Sequence, residues 1–470
     1  MSVSRRILKN IFSLSIAEIS SKGLAFLYTI YLIRTIGPEG NGILNFAKSI
    51  VQYFLIVVAL GFDQVGIREI AKNKNLITNY VNDIISIRLI LASISYILLI
   101  ITVKILIFTK PELYYNQHII YIYGLTLFAN ALMLNWVFQG IEKMEIIAIR
   151  SVLIYVLNFL GIILLVKSNQ DITIAILVIT FSIIITSVWM LIYYYKFYGK
   201  IKLHFDINRF ISLTKQALSI GLIFLIAILY NNIDITMLGI LRNDFETGLY
   251  SAAHQVIVFA ILPSFILQGA FFPQFANRET FSERNNILSK YAKILAFFGF
   301  LISGLLFVLS DDAKLFFGNK YVGTELALKL LSFTILIQFI ISIYFSPLIA
   351  WKQERKVIIA NISGLIINII LNLILIPVIN IYGAALATII CEFTVLLVVI
   401  YIFKQNHNNL FLKDIFSFLP IIIISILPIL LFREKFNFLF SLVSVVILYV
   451  GTSLVFKLVR IEEIKLMLKK

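Results

Sequence analysis

Fourteen apolar stretches, each long enough to cross a lipid bilayer, occupy almost the whole chain. A spanning helix needs about 20 consecutive, mostly apolar residues. The stretches run near 10–33, 43–61, 83–107, 118–138, 146–166, 171–195, 213–241, 248–272, 288–310, 324–349, 357–377, 381–403, 414–432 and 437–457. No connection exceeds roughly 20 residues, which leaves no room for a soluble domain of ordinary size. Long continuous runs, rather than short alternating ones, select helices over a closed barrel. The expected fold class is all-α: a polytopic membrane protein with about 14 transmembrane helices.

The formal charge of +16 on 470 residues would suggest nucleic acid in a soluble protein. Here the basic residues segregate by side. Arg5, Arg6 and Lys9 share a side with Arg68, Lys72, Lys143, Lys196, Lys200, Lys202, Arg209, Arg355, Lys404 and the C-terminal lysines. The opposite side holds only Arg34, Lys110, Lys167, Arg242, Lys314, Lys320, Arg433 and Lys435. The positive-inside rule then puts both termini in the cytoplasm, and the basic excess is topology rather than a nucleic-acid surface. The first apolar stretch lacks a cleavage-site pattern and is expected to be a retained helix.

Absent motifs narrow the function further. The one cysteine, Cys391, excludes an internal disulfide and a cysteine metal cluster, and reads as a small packing residue. His118, His204, His254 and His407 are dispersed, with no metal-ligand spacing. The chain has no G-x-x-x-x-G-K-[ST] phosphate loop and offers no nucleophile triad from its loops. The expectation is a transporter without metal or cofactor, not an enzyme.

The sequence resembles itself at an offset a little above 200 residues. Arg34-Thr35-Ile36-Gly37-Pro38-Glu39-Gly40-Asn41-Gly42 aligns with the Arg242–Gly248 stretch when Gly42 is set on Gly248. Glu142-Lys143 with Ile146-Ile147-Ala148 resembles Glu354-Arg355 with Ile358-Ile359-Ala360. A unit of six spans is even, so both halves enter the membrane in the same sense. The expected domains are an N-lobe over 1–205 (spans one to six), a C-lobe over 206–408 (spans seven to twelve), and a C-terminal hairpin with a basic tail over 409–470.

The ordered motifs carry a family resemblance. Arg34-Thr35-Ile36-Gly37-Pro38-Glu39-Gly40-Asn41-Gly42 resembles the R-x-x-G-P-E-G-Y-G signature of polysaccharide and O-antigen flippases in the MATE-like superfamily, with Asn41 replacing the usual Tyr in what reads as a surface loop. Arg68-Glu69-Ile70-Ala71, Asp234 to Gly239 followed by Gly248-Leu249-Tyr250, Leu315 to Tyr321, and Tyr382-Gly383-Ala384-Ala385 resemble later motifs of that family in the same order. The resemblance implies a flippase for undecaprenyl-pyrophosphate-linked oligosaccharide units, as in O-antigen, capsule or exopolysaccharide assembly. It implies two six-helix bundles around a central cavity that opens alternately to each side of the cytoplasmic (inner) membrane. It also implies membrane lipid, a polysaccharide polymerase and glycosyltransferases as partners.

Ionisable residues inside a bilayer are costly when they face lipid, so they mark interior positions. Span one places Ser15, Glu18, Lys22, Ala25 and Thr29 on one helical face, and span two does the same for Asn45, Lys48 and Gln52. Lys22, Lys48 and His254 are the candidates for a cationic lumen, because a pyrophosphate leaving water needs cationic partners. Basic residues on spans one, two and eight serve the headgroup in related lipid II flippases, which the resemblance carries to these three. The same residues also read as interhelical salt bridges, Lys22 with Glu18 or Asp234. Arg34 and Arg242 end outward helices, where they attract a pyrophosphate or snorkel to lipid phosphate. The stripe Asn361, Asn368 and Asn372 suits sugar hydroxyls or helix–helix glue alike. Asp234 and Glu392 are candidates for coupling to an H+ or Na+ gradient, against static pairing. Tyr193, Tyr194 and Tyr195 read as an interfacial belt, and Pro263 and Pro347 as kinks. Two other functions share some of these features: a MATE-type drug or cation antiporter, and a membrane oligosaccharide polymerase.

Overall fold

The computed structural model describes residues 3–203, 206–276, 281–407, 409–432 and 436–458; the side chains of 3–20, 276, 281–282 and 406 fall outside that description. The chain divides into two compact units, Met1–Gly248 and Leu249–Lys470. The first contains α1 (Val3–Ala59), α2 (Phe62–Lys72), α3 (Ile77–Thr109), α4 (Leu113–Gly124), α5 (Thr126–Ala131), α6 (Asn135–Gly140), α7 (Met144–Leu165), α8 (Ile172–Tyr198), α9 (Ile207–Leu241) and the start of α10 (Asp244–Ala260). The second contains the rest of α10, then α11 (Leu262–Ala276), α12 (Phe281–Leu309), α13 (Ala313–Phe317), α14 (Thr324–Ala350), α15 (Glu354–Asn406), α16 (Leu412–Phe416), α17 (Leu419–Leu431) and α18 (Phe438–Val455). The described residues contain no strand.

Helix α3 shows why these helices need a bilayer. Ala92, Ser95, Leu99 and Val103 are buried at helical spacing, while Ile90, Ile94, Ile97, Leu98, Ile101, Ile105 and Phe108 are exposed on the opposite side. An apolar stripe of that length facing water would be unfavourable, whereas in hydrocarbon it costs nothing and the helix satisfies its own backbone. In α17 and α18, Ile423, Leu427, Leu431, Leu439, Val443 and Ile447 are likewise exposed. Their inner faces pack on α12: Gly304 sits against Ile422, and the Tyr449 hydroxyl donates to the Phe297 carbonyl at 3.0 Å.

Among the described residues, twelve helical stretches are long and apolar enough to cross a membrane. Two of them, Ser21–Lys72 and Glu354–Gln405, are 52 residues long. At 1.5 Å per residue each would extend about 78 Å, over twice the hydrocarbon thickness. The count therefore differs from the fourteen apolar stretches because neighbouring stretches run on as one helix with a break inside. In α1 the break is Gly37, at φ 72° and ψ 179°. That region is open essentially to glycine alone, and the following Pro38 disfavours helical backbone at residue 37. In α15 the break is at Ile379 and Asn380, just after Pro377. A Cβ on Gly383 would lie 2.5 Å from the backbone of Leu375. Eight residues of straight helix would separate these positions by about 12 Å, so the chain folds back between them.

Two buried clusters form the core of the first unit. The first gathers Leu32, Leu44, Ala47, Val51, Leu99, Tyr123, Ile162 and Ile176. The second gathers Phe62, Val65, Ile84, Trp136, Phe138, Met190, Tyr194 and Leu213. Tyr194 is fully buried and stacks on Tyr198 at 5.4 Å. Only Tyr195 of the expected tyrosine belt is prominently exposed, because three consecutive residues on a helix point in three directions. The kink expected at Pro263 appears as a break at Ile261, with Pro263 in the first turn of α11, where its missing N–H is harmless.

The internal repeat recurs as a turn. After α6, Glu142 is left-handed and the Lys143 N–H donates to the Phe138 carbonyl at 2.8 Å. After α14, Lys352 is left-handed and the Gln353 N–H donates to the Leu348 carbonyl at 2.9 Å. These are the same helix-ending motif. The match is Glu142 with Lys352, two residues from the register that the side chains suggest, because hydrogen-bond geometry and not residue identity is what repeats.

Candidate functional site

In the first unit the polar face is built by α1 beyond its break. Asn41, Asn45, Lys48 and Gln52 follow at steps of four, three and four, so one face carries all of them. The Asn45 amide donates to both the carbonyl and the side-chain oxygen of Asn41 at 2.8 Å. Lys48 and Gln52 are half-buried. Among the described residues, Lys48 has no hydrogen bond, ion pair or ring contact. One turn further on, the Tyr53 hydroxyl lies 2.7 Å from that of Thr236 on α9. Thr236 donates its own proton to the Asn232 carbonyl at 3.0 Å, so Tyr53 is the donor of the pair. Asp234 is buried and close enough to Tyr53 to act on it electrostatically.

The other first-unit candidates fare differently. Lys22 is half-buried and Arg34 is exposed. The Glu18 side chain lies outside the described residues. Arg242 is engaged with Glu246 through two nitrogens, at 2.7 and 3.1 Å, which ties its guanidinium across the α9–α10 junction. Two expectations need correction. Asn41 is buried, not in a surface loop, and donates to the Gly248 carbonyl at 2.9 Å. Lys110, counted among the outward surface charges, is buried: its ammonium donates to the Gly239 carbonyl at 2.9 Å and to Asp244 at 2.6 Å. A lysine in a short interhelical loop gives no sequence sign of which helix end its chain will reach.

In the second unit, α10 presents Tyr250 and His254. Their rings stack at 6.0 Å, and the Tyr250 hydroxyl meets Thr388 of α15 at 3.1 Å. Asn368 is buried and accepts from the Asn372 amide at 2.9 Å within α15. Glu392 is buried and accepts from the Gln338 amide of α14 at 2.8 Å. Gln338 was absent from the expected site, although a lone glutamine inside the apolar run of α14 is a legible signal, since such residues usually find a partner across helices. Among the described residues no cluster of three or more His, Cys, Asp or Glu side chains is placed to hold a metal.

Long lipid-compatible helices with interior polar faces, and a lysine without a partner among the described residues, mark a multi-pass membrane protein. Residues 7–279 match the family described as polysaccharide biosynthesis protein, and the chain belongs to that family. An Escherichia coli K12 protein named as an O-antigen transporter is 30% identical over 172 residues, a match that covers 36% of this chain and 40% of that one. A Shigella dysenteriae protein with the same name is 26% identical over 404 residues, covering 84% of this chain and 99% of that one. Among solved structures, the lipid II flippase MurJ in an inward closed conformation superposes with a TM-score of 0.72 at 17% identity, over 94% of this chain and 98% of that one. At that identity the likeness establishes the fold. The chain stands with transporters and flippases, not with enzymes.

Proposed function

We propose that this protein is a flippase that carries an undecaprenyl-pyrophosphate-linked oligosaccharide from the cytoplasmic to the outer leaflet of a bacterial inner membrane by alternating access. The observation that carries the reading is Lys48: a half-buried cation in a membrane-embedded helix with no partner among the described residues. A lysine inside a bilayer is retained at a cost of a few kcal/mol, which a visiting anion offsets. A diphosphate has that chemistry, and Gln52 on the same face offers its amide to the sugar next to it. The family and the O-antigen transporters among its relatives support this substrate class.

In this reading each 52-residue stretch crosses the membrane twice, giving fourteen crossings with both termini in the cytoplasm. Lys22 and His254 assist Lys48, and Asp234 or Glu392 couples transport to an H+ or Na+ gradient. A polymerase and glycosyltransferases consume and supply the cargo. The test is translocation of a lipid-linked oligosaccharide in vesicles reconstituted with the native protein or the Lys48→Ala variant. Loss of flipping by Lys48→Ala at normal reconstitution, with partial activity in Lys48→Arg, is expected. Full activity in Lys48→Ala removes the anion site. A drug antiporter would instead need an acidic face in place of Lys48.

A further inference from the structure

The junction between α9 and α10 is pinned to the rest of the first unit by three contacts of different kinds. The first is a seam of backbone. A Cβ on Gly42 would stand 1.8 Å from the Asp244 carbonyl oxygen, and a Cβ on Gly248 would stand 1.7 Å from the Pro38 carbonyl oxygen. Pro38 and Asp244 are separated by 206 residues, as are Gly42 and Gly248. Each glycine therefore receives the carbonyl from the repeat counterpart of its own neighbour, and the contact is reciprocal. The second is Asn41, buried at the seam, which donates to the Gly248 carbonyl. The third is Lys110, 8% exposed, whose ammonium fills a socket made by the Gly239 carbonyl, the Asp244 carboxylate and the ring of Phe46 at 5.5 Å. Gly239 is near the C-terminus of α9 and Asp244 opens α10, so a cation there suits the carbonyls of the one and the carboxylate at the head of the other.

We propose that this assembly is a latch, with Lys110 as its bolt, that holds this end of the first unit shut and must release in each transport cycle. Carbonyl-on-glycine contacts give close approach but are individually weak, so the seam separates readily once nothing else holds it. The socket differs: a charged hydrogen bond to a carboxylate and another to a helix-end carbonyl, away from water, are the strong elements. Asp244 belongs to both parts, its carboxylate gripping Lys110 while its carbonyl rests on Gly42. Withdrawal of Lys110 therefore frees the residue that closes the seam.

The proposal takes from the transport reading only that the protein moves between states, and its test uses no substrate. In a Cys391→Ser background, Asn41→Cys places a reporter thiol in the seam. The rate of its modification by a membrane-impermeant maleimide is measured from the outer side of intact cells. Slow labelling is expected while Lys110 is present, and Lys110→Met should raise the rate on the order of tenfold to a hundredfold, the worth of a lost charged hydrogen bond. Lys110→Arg should raise it less. Where Lys110→Met fails to accumulate, Asp244→Asn carries the same expectation. Labelling that is fast with Lys110 intact, or no faster in the variants, overturns the latch. A protein that flips no lipid-linked sugar yet shows the rate change keeps the latch and loses the substrate reading.

Discussion

Replacing Lys48 by methionine should make the protein more stable and less active at once. Methionine keeps the length and flexibility of the lysine stem while removing the charge. A lysine at the centre of a membrane helix costs about 2.5–3.5 kcal/mol on insertion scales. Lys48 is half-buried and without a partner among the described residues, so roughly half of that, about 1–2 kcal/mol, is recoverable. If the first unit, residues 1–248, melts cooperatively, its unfolding entropy is about 0.5 kcal/mol per degree, and the midpoint rises about 2–4 °C. Melting of the purified protein in detergent, followed by intrinsic fluorescence, measures the gain, and vesicle translocation measures the loss of flipping. A structural lysine would behave oppositely, because removing one member of a buried pair strands the other. A fall in the midpoint, or unchanged flipping, refutes the reasoning.

Other expectations follow from single sites. Gly383→Ala should destabilise the second unit by about 1–3 kcal/mol, since the new methyl meets the Leu375 backbone at 2.5 Å and backbone cannot swing aside; the same melting experiment reads it. Glu392→Gln should leave flipping and its response to a pH gradient as in the native protein if the bond to Gln338 is static, whereas loss of gradient-driven transport alone would make Glu392 the coupling group. His407, between α15 and α16, stacks on Trp351 and lies against Phe403; burial pushes its pKa below the ordinary 6.5, and nearby Arg284 adds to this against the hydrogen bond that the ring donates to the Asn409 carbonyl. The folded state then binds a proton less readily than the unfolded chain, so stability is full above about pH 6.5 and falls as pH drops below it. His407→Phe should flatten the pH dependence of melting in that range.

The candidate site was partly legible in the sequence. Lys48 and its neighbours Asn45 and Gln52 stood out because helical spacing alone puts them on one face, and a charge in an apolar run is conspicuous. Asn368 and Glu392 were visible too, but their partners were not: whether Glu392 meets Gln338 depends on how α14 lies against α15. Nothing local to Lys110 announced a buried ion pair with a residue 134 positions away. Asn41 looked like a loop residue because its signature is rich in glycine, but Gly37 makes the break in α1, and Gly42 lets the Asp244 backbone approach closely beside a buried Asn41.

The amino-acid sequence by itself determined that this chain is a helical, multi-pass membrane protein, because continuous apolar length is a local property and a bilayer leaves helices as the form for such runs. It also fixed the break at Gly37, since the Gly-Pro pair dictates its own backbone. The tertiary structure alone decided which polar groups are spent on one another. Pairing depends on contacts between residues far apart in the chain, and no periodicity in the sequence encodes how two helices cross. That difference separates Lys110, engaged by carbonyl and carboxylate, from Lys48, half-buried on the polar face of α1 and without a partner among the described residues.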